Sequence, residues 1–535
     1  MTVAPEPGRS SGWPQLAAAA LAVLAFVLTV VGIRVQDVPP DWPDTVYRSL
    51  QLFTLEGDAL AGLVLNPWLQ VARFLAPAAT LLVVILTVRT LLGDQWRRRR
   101  IATTRDHVIV CGESASALAL ARNLRESGSA VVLVAAADAE APSGGAIPAV
   151  PGDPREPATL RAAGIVGARS LYACAEHSAV NAAVALAAGR LRSAPGPRLS
   201  TFAQVRSDDL VDALRVRRLR APQPNTVTMD FFALDDIAAR LLVARHPVGD
   251  AVPVVVGFGP LGQAVLRAIV RGSGTAPPPR PIIVVTAAGE HVVEAEAARL
   301  DAGSRGWSVR LGQENDGEGP VYICLADEDE AISTGLRLGR RDDRDVVVCL
   351  QRESPFSEAL DATARVKIFG LLDETCREAA ITEDSIIGRI ARAVHERYCS
   401  QARARGDRLA TNPSTAPWVD LPVSLQESNF AQAEGIGEKL LTIRASLTTQ
   451  APATPFSYRE GEVDTLARLE HARWVRERRA AGFRYGPSRQ GREHPDLVDW
   501  SNLSTESQQK DRDTVRALPD LLATEGLYIV RDATS

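Results

Sequence analysis

The hydrophobic pattern divides the chain into an uninterrupted apolar part and a longer part in which apolar runs alternate with polar ones. From Leu16 to Ile33 eighteen residues pass without a charge. At 1.5 Å of rise per residue that is enough to cross most of a bilayer core, so the pattern predicts a transmembrane helix. A cleaved signal peptide is the competing reading, but Arg9 alone supplies a positive n-region and a second apolar stretch follows. That stretch, Trp68 to Leu92, contains the run Phe74 to Val88 between Arg73 and Arg89, whose long side chains can reach toward the interfaces, with Pro77 as a site for a kink near one end. Arg97, Arg98, Arg99 and Arg100 come next and assign that end to the cytoplasm. With two crossings, the N-terminus faces the cytoplasm as well.

The segment between the crossings, Arg34 to Pro67, carries Asp37, Asp41, Asp44, Glu56 and Asp58 against Arg34 and Arg48, an acidic balance that belongs outside. It is longer than a simple turn. Within it, Thr45 to Leu65 starts amphipathic and ends glycine-containing, the order expected of a re-entrant pore helix and its loop; an external loop with one surface helix fits the same pattern. On the pore reading Gln51 to Asp58 lines the path, with Thr54, Glu56, Gly57 and Asp58 as pore residues. A potassium filter needs consecutive carbonyls in an extended TVGYG-like strand. Thr54-Leu55-Glu56-Gly57-Asp58 matches that poorly, so potassium selectivity does not follow from it.

Past the arginines, His107 to Ala136 reads as buried strand, tight turn, helix and second strand, the opening of a Rossmann-type unit. Of G-x-G-x-x-G only Gly112 survives; Ser114 and Ala117 fill the other positions, and Ala135 stands where an acidic residue would hold a ribose. The stretch from Val150 to Gly189 then resembles the RCK (regulator of potassium conductance, TrkA-N) domain, through Gly152-Asp153, Leu160, Ala163-Gly164 and Asn181. With the strand at Val108 the resemblance covers about 140 residues. It implies a ligand-sensing, dimer-forming regulator coupled to a pore, and two membrane helices followed by such a unit is the arrangement of ligand-gated potassium channels.

A second unit begins at Val252, where Gly257, Gly259 and Gly262 complete G-x-G-x-x-G between a strand and a helix. Gly257 permits the turn, Gly259 lets backbone approach a diphosphate, and Gly262 allows close helix packing. A nucleotide or dinucleotide is the expected ligand here, against a purely structural use of the glycines; Thr286, at the position of the ribose-binding acid, weakens the case for NAD. Apolar runs Val321 to Ala326 and Val346 to Leu350 predict further parallel strands. No HExxH, GxSxG or Cys-His spacing is present, so no enzyme is expected.

The tail aligns with itself. Ile390 to Gly406 pairs with Leu466 to Gly482, matching His395 with His471 and Tyr398 with Trp474, and Pro417 to Leu440 pairs with Asp499 to Leu522, matching Trp418 with Trp500. The second copy has an extra loop, Phe483 to Val498. With LARLEHARW, GFRYGP, HPDLVDW, KDRDTVRALPDLL and GLYI it resembles the RyR domain, the module repeated in ryanodine receptors and found in bacterial membrane proteins. Helical spacing groups His471 and Trp474 with Arg478, and Arg484, Tyr485 and Arg489 follow in the loop; guanidinium groups beside aromatic rings suit a phosphorylated, planar ligand such as a nucleotide. The alternative is a core role for the tryptophans and a solvated face for the arginines.

Length and composition add limits. At 535 residues the chain holds several domains, and 46% hydrophobic with 23% charged residues excludes a mainly disordered chain. A net charge of -4 advertises no nucleic-acid partner, and six scattered cysteines fit reduced thiols in a cytosolic body. The expected fold is two transmembrane α-helices, two α/β Rossmann-like (RCK-type) domains and a mainly α-helical tandem RyR-like repeat. The divisions are a tail at 1–13, membrane part 14–96, Rossmann-like units 105–245 and 250–378, and repeats 380–450 and 456–535. The expected function is a ligand-regulated ion channel for potassium or another cation, multi-pass in the plasma membrane, mostly cytoplasmic and homo-oligomeric as a dimer or tetramer. The alternative is a nucleotide-sensing membrane effector or scaffold without selective conduction. An NAD-dependent oxidoreductase fails for want of a catalytic base and an acidic ribose ligand.

Overall fold

The computed structural model describes residues 13–54, 57–136, 147–192, 199–206, 208–220, 227–272, 280–300, 306–340, 344–352, 366–404, 406, 412–487 and 491–532. The chain divides into two compact units at Thr103/Thr104.

The first unit is helical. Helix α1 (Trp13–Arg34) and α3 (Pro67–Thr103) flank the short α2 (Trp42–Gln51) and a 3-10 turn (Gly57–Leu60). Leu16–Arg34 and Pro67–Val88 are each long and apolar enough to cross a membrane. Small residues let them approach: Ala25, Ala72 and Ala76 are fully buried, and a Cβ on Gly32 would lie 2.7 Å from Leu69. The α1 to α2 and α3 ends are tied by polar groups, Asn66 Nδ2 donating to the Gly32 carbonyl (2.7 Å) and Gln36 Nε2 to that of Val64 (2.7 Å). Helix α3 outruns the expected end at Leu92: it continues through Gly93 and the arginine-rich segment to Thr103, a single glycine being tolerated in a helix interior at a cost of about 1 kcal/mol.

The second unit opens with two parallel sheets of identical topology. Strands β1 (Val108–Cys111), β2 (Val131–Ala135), β3 (Ala149–Pro151), β4 (Ser170–Ala173), β5 (Leu199–Gln204) and β6 (Val227–Phe232) lie in the order β3-β2-β1-β4-β5-β6. Strands β7 (Val254–Val256), β8 (Arg280–Val285), β9 (Trp307–Leu311), β10 (Val321–Ile323), β11 (Val346–Leu350) and β12 (Val366–Gly370) repeat it as β9-β8-β7-β10-β11-β12. This is the doubly wound order, with a switch point beside the first strand of each sheet. The central strands are near-continuous Val, Ile and Leu because helices cover both faces. The helix Leu234–Arg245 leaves the first sheet and packs on Pro260–Gly272 of the second.

The remainder is helical with two short strand pairs that the sequence pattern does not predict. Helix Ile386–Ala404, a 3-10 turn at Trp418–Asp420, helices Val423–Glu434 and Ile436–Thr442, and strand β13 (Ala445–Thr448) form the first half. Helix Glu462–Ala480, a 3-10 turn at Trp500–Asn502, helices Thr505–Arg516 and Leu518–Thr524, and strand β16 (Tyr528–Arg531) form the second in the same order. β13 and β16 pair antiparallel and close the two halves over one core that includes Ile390, Leu440, Leu466 and Leu522. Val216 and Leu219, from the helix Asp208–Arg220 of the first sheet unit, pack against the same core.

Candidate functional site

The G-x-G-x-x-G loop sits where β7 gives way to its helix, at the switch point of the second sheet. Gly257 has φ +90, and a Cβ there would lie 2.7 Å from the Cys324 carbonyl oxygen. A Cβ on Gly262 would come within 2.0 Å of the Gly257 carbonyl oxygen. Both glycines are therefore required by the backbone itself. Gly259 differs, because a Cβ there would meet nothing within 4 Å. The space over Gly259, at a helix N-terminus whose first residue is Pro260, is open to an anion. Thr286 follows the end of β8 and its Oγ accepts from the Ala288 amide (3.0 Å), so the ribose position carries a hydroxyl engaged in a local turn.

The corresponding loop of the first unit is filled by its own side chains. Gly112 has φ +127, and a Cβ there would lie 2.7 Å from the Cys174 carbonyl. Ser114 caps the helix Ala115–Glu126 by accepting from the Ala117 amide (3.2 Å) and donates to the Cys174 carbonyl. Ser116 donates to Gln204 (2.8 Å), and Glu113 accepts from the Ala136 amide just past β2. These contacts use the groups that would meet a diphosphate and a ribose. Asn181 bridges Ala175 and the Gln204 carbonyl from a buried position, a framework role.

In the C-terminal module the duplication separates shared framework from copy-specific chemistry. His395 Nε2 lies 2.8 Å from the Ala416 carbonyl, and His471 Nε2 lies 2.8 Å from that of Val498. Gln426 and Gln508 donate to the Trp418 and Trp500 carbonyls, and Arg392 and Arg468 lie over those same two rings. A contact present in both copies is scaffold, so His471 serves first as a clamp on the loop that ends at Val498. Trp474 is specific to the second copy. Its ring stacks on His471 (6.0 Å), meets His494 edge-on (4.9 Å) and carries the Arg478 guanidinium at 5.9 Å.

The structure parts the expected ligand residues into two layers. Trp474 and His471 lie beneath, while Arg484 and Tyr485 form β14 (Arg484–Tyr485), paired in parallel with β15 (Glu493–His494) on the outer surface. The Arg484 side chain is 80% exposed and stands 3.5 Å from Glu493; Tyr485 is 63% exposed. Arg489 lies outside the described residues. Arg478 lies beside Trp474 as the helical spacing predicts, whereas sequence reasoning missed His494, which meets the Trp474 ring, and Phe483, whose ring lies 5.2 Å from the Arg478 guanidinium; the loop length alone gave no sign of the β14–β15 pairing.

A charged cluster supports this layer from below. Lys439, on the first half, lies 2.6 Å from Glu470 on the second, and Arg473 reaches the other oxygen of Glu470 (2.7 Å) and Glu477 (2.6 Å). Burial alone would raise the Glu470 carboxyl, but Lys439 and Arg473 outweigh it and hold it at about 2. Burial likewise opposes the charged form of His471, yet hydrogen bonding to Asp511 and to the Val498 carbonyl lifts it above the usual imidazole value. Burial pushes the Asp511 carboxyl up against the pull of His471.

In the first unit the short helix α2 turns back beside α3. The Thr80 hydroxyl, thirteen residues into α3, donates to the Phe53 carbonyl (3.1 Å), which places the end of α2 roughly 20 Å along the α3 axis. Leu52 and Ala59 pack there against Ala25, Ala72 and Ala76. Thr54 is exposed beyond the end of α2. Glu56 lies outside the described residues, and Gly57 and Asp58 open the 3-10 turn. The segment from Gly57 to Leu60 is thus a turn, not an extended filter strand.

Compared with known proteins, residues 108–222 match the TrkA-N domain family, which spans β1 through the helix ending at Arg220. No curated protein matches the chain. Among solved structures the chain is similar to GsuK bound to ADP (15% identity, TM-score 0.37, covering 68% of this chain and 94% of that one). It is also similar to the GsuK channel bound to NAD (12%, 0.37, 69% and 82%) and to the GsuK RCK domain (14%, 0.34, 57% and 79%).

Proposed function

We propose that the chain is a ligand-regulated, membrane-embedded cation conductor of a potassium-transport system, with a nucleotide-responsive cytoplasmic body. The observation that carries the reading is the TrkA-N match at 108–222, which begins within five residues of the end of the second membrane-length helix. The return of α2 to about the middle of the membrane-length part of α3, Pro67–Val88, supports it. Irregular backbone at membrane depth is stable only when buried in protein or lining a water-filled path, and two helices of one chain cannot enclose such a path. The reading therefore includes a homo-oligomer around a shared axis, with Thr54, Glu56, Gly57 and Asp58 near the path.

Regulation works by linkage: a ligand that binds one arrangement of the cytoplasmic body more tightly shifts the population of conducting states, transmitted through the continuous helix α3. Two sites suit a nucleotide, the open position over Gly259 and the second RyR-like copy with Arg484, Tyr485, Arg489 and Trp474. A second reading, a nucleotide-sensing membrane effector without selective conduction, is favoured by the turn at Gly57–Leu60 in place of a filter strand. The test is potassium flux from liposomes reconstituted with the full chain. Flux above that of empty liposomes, reduced by replacing external potassium with a large organic cation, supports the conductor. Nucleotide binding without any flux turns the assignment to the effector.

A further inference from the structure

A cavity of about 770 Å³ lies at the opposite end of the second sheet from the Gly257 loop. Its walls come from Leu234–Arg245, Pro260–Gly272, the starts of β8 and β9 at Arg280 and Trp307, the segment Glu378–Asp384, helix Ile386–Ala404 and the turn at Glu525. It therefore touches both sheet units and the helical module at once. Its size suits a nucleotide-sized ligand, since such sites run about 300–1,000 Å³.

The lining has two chemical parts. Ile237, Leu241, Ala264, Ala268 and Trp307 supply an apolar floor. Above it the cations are all arginine: Arg240, Arg267, Arg271, Arg280, Arg389 and Arg392. Guanidinium groups accept phosphate in bidentate fashion, which ammonium groups do not. Two of these arginines are anchored in buried pairs, Arg267 with Asp236 (3.1 Å) and Arg389 with Glu525 (2.9 Å). Two others pair with solvent-exposed carboxylates, Arg280 with Asp250, whose side chain is 98% exposed, while also donating to the Gly249 carbonyl (2.9 Å), and Arg392 with Glu383. Exposed pairs contribute little to stability, so exchange of those carboxylates for a phosphate costs little.

We propose that this cavity binds an organic phosphate with a ring-bearing or apolar body, Arg280 and Arg392 taking the phosphate and the floor taking the body. Arg392 also lies over the Trp418 ring, so occupancy reaches the core of the first helical copy. The proposal rests on the reading of the cytoplasmic body as ligand-responsive, and its test reads binding alone, so a failure here leaves the conduction test independent.

The full chain in detergent is titrated calorimetrically with ATP and with inorganic pyrophosphate. ATP is expected to bind, and pyrophosphate to bind about tenfold or more weakly, for want of a body to bury. Ala268→Phe, which fills the cavity, and Arg392→Gln, whose melting is compared with wild type because Arg392 also packs over the Trp418 ring, should each weaken ATP binding about tenfold or more. Titrated in the Gly259→Asp background, where a negative charge removes whatever ATP binds at the glycine loop, the cavity's binding event should persist and should still weaken with Arg392→Gln. If Gly259→Asp abolishes ATP binding while Arg392→Gln retains it, the glycine loop is the site and the proposal is wrong. Equal affinity for the two probes, or no binding of either, also overturns it.

Discussion

Lys439→Met removes one cation from the buried cluster that joins the two halves of the helical module. Lys439 and Glu470 are each 4% exposed, and the carboxyl oxygen lies 2.6 Å from the ammonium nitrogen. The native environment lowers Glu470 from 4.5 to about 2. At 1.36 kcal/mol per unit, that is a differential stabilisation of the carboxylate of about 3 kcal/mol, shared between Lys439 and Arg473. Breaking a buried pair by removing one partner costs about 3–5 kcal/mol, and Arg473 remains to hold part of the charge, so a loss of about 3 kcal/mol is expected. Hydrogen exchange of the full chain, followed by mass spectrometry, reads this locally: amides of Ile436–Thr442 and Glu462–Ala480 should exchange about 10²-fold faster. The sign with pH follows from the lowered carboxyl. In the wild type its contribution is present above pH about 4.5 and fades as pH falls toward about 2, and the variant should lose much of that acid dependence. Lys439→Met/Glu470→Met, which removes both charges, should recover most of the loss. Exchange in Lys439→Met within about threefold of wild type, under 1 kcal/mol, would refute the reasoning.

The other predictions concern the glycine loop and the ring cluster. Gly262→Ala forces a methyl group onto the Gly257 carbonyl and should destabilise the second sheet unit by at least about 1–3 kcal/mol in thermal unfolding, whereas Gly259→Ala should fold normally and lose only nucleotide affinity at that loop. His471 has a raised pKa, so its stabilising contribution is complete below pH about 6.5 and is lost as pH rises through its native value; His471→Gln should flatten that dependence in pH-resolved melting of the helical module. Arg484→Ala, at an 80% exposed side chain, should leave melting unchanged and weaken nucleotide binding at the second copy by about 10- to 100-fold, as measured by calorimetry.

Much of this architecture can be read from local pattern. Valine- and isoleucine-rich runs at Val108, Val254, Val321 and Val346 announce buried parallel strands because such strands are covered on both faces. The glycines at 257, 259 and 262 announce their turn, and the aligned His395/His471 and Trp418/Trp500 pairs announce the duplicated framework. What escapes the sequence depends on distant partners. Lys439 follows Glu438, a nearer carboxylate in the sequence, and nothing local marks Glu470 as its counterion. β13 and β16 pair across about 80 residues, and the arginines of the cavity come from segments more than 100 residues apart. The loss of the first phosphate loop is visible in its missing glycines, but its occupation by Glu113 and Ser114 depends on contacts made across the sheet.

The central claim is that a ligand on the cytoplasmic body controls ion passage through the two-helix unit. Recording from the purified full chain in a planar bilayer, with ATP, ADP or NAD added to the side bearing the cytoplasmic body, tests it most directly. The account predicts cation-selective currents whose open probability changes with at least one of these nucleotides, and a smaller unit conductance in Asp58→Asn, through loss of a ring of negative charge near the path. No current under any condition, or a current indifferent to all three nucleotides and to Asp58→Asn, would contradict it.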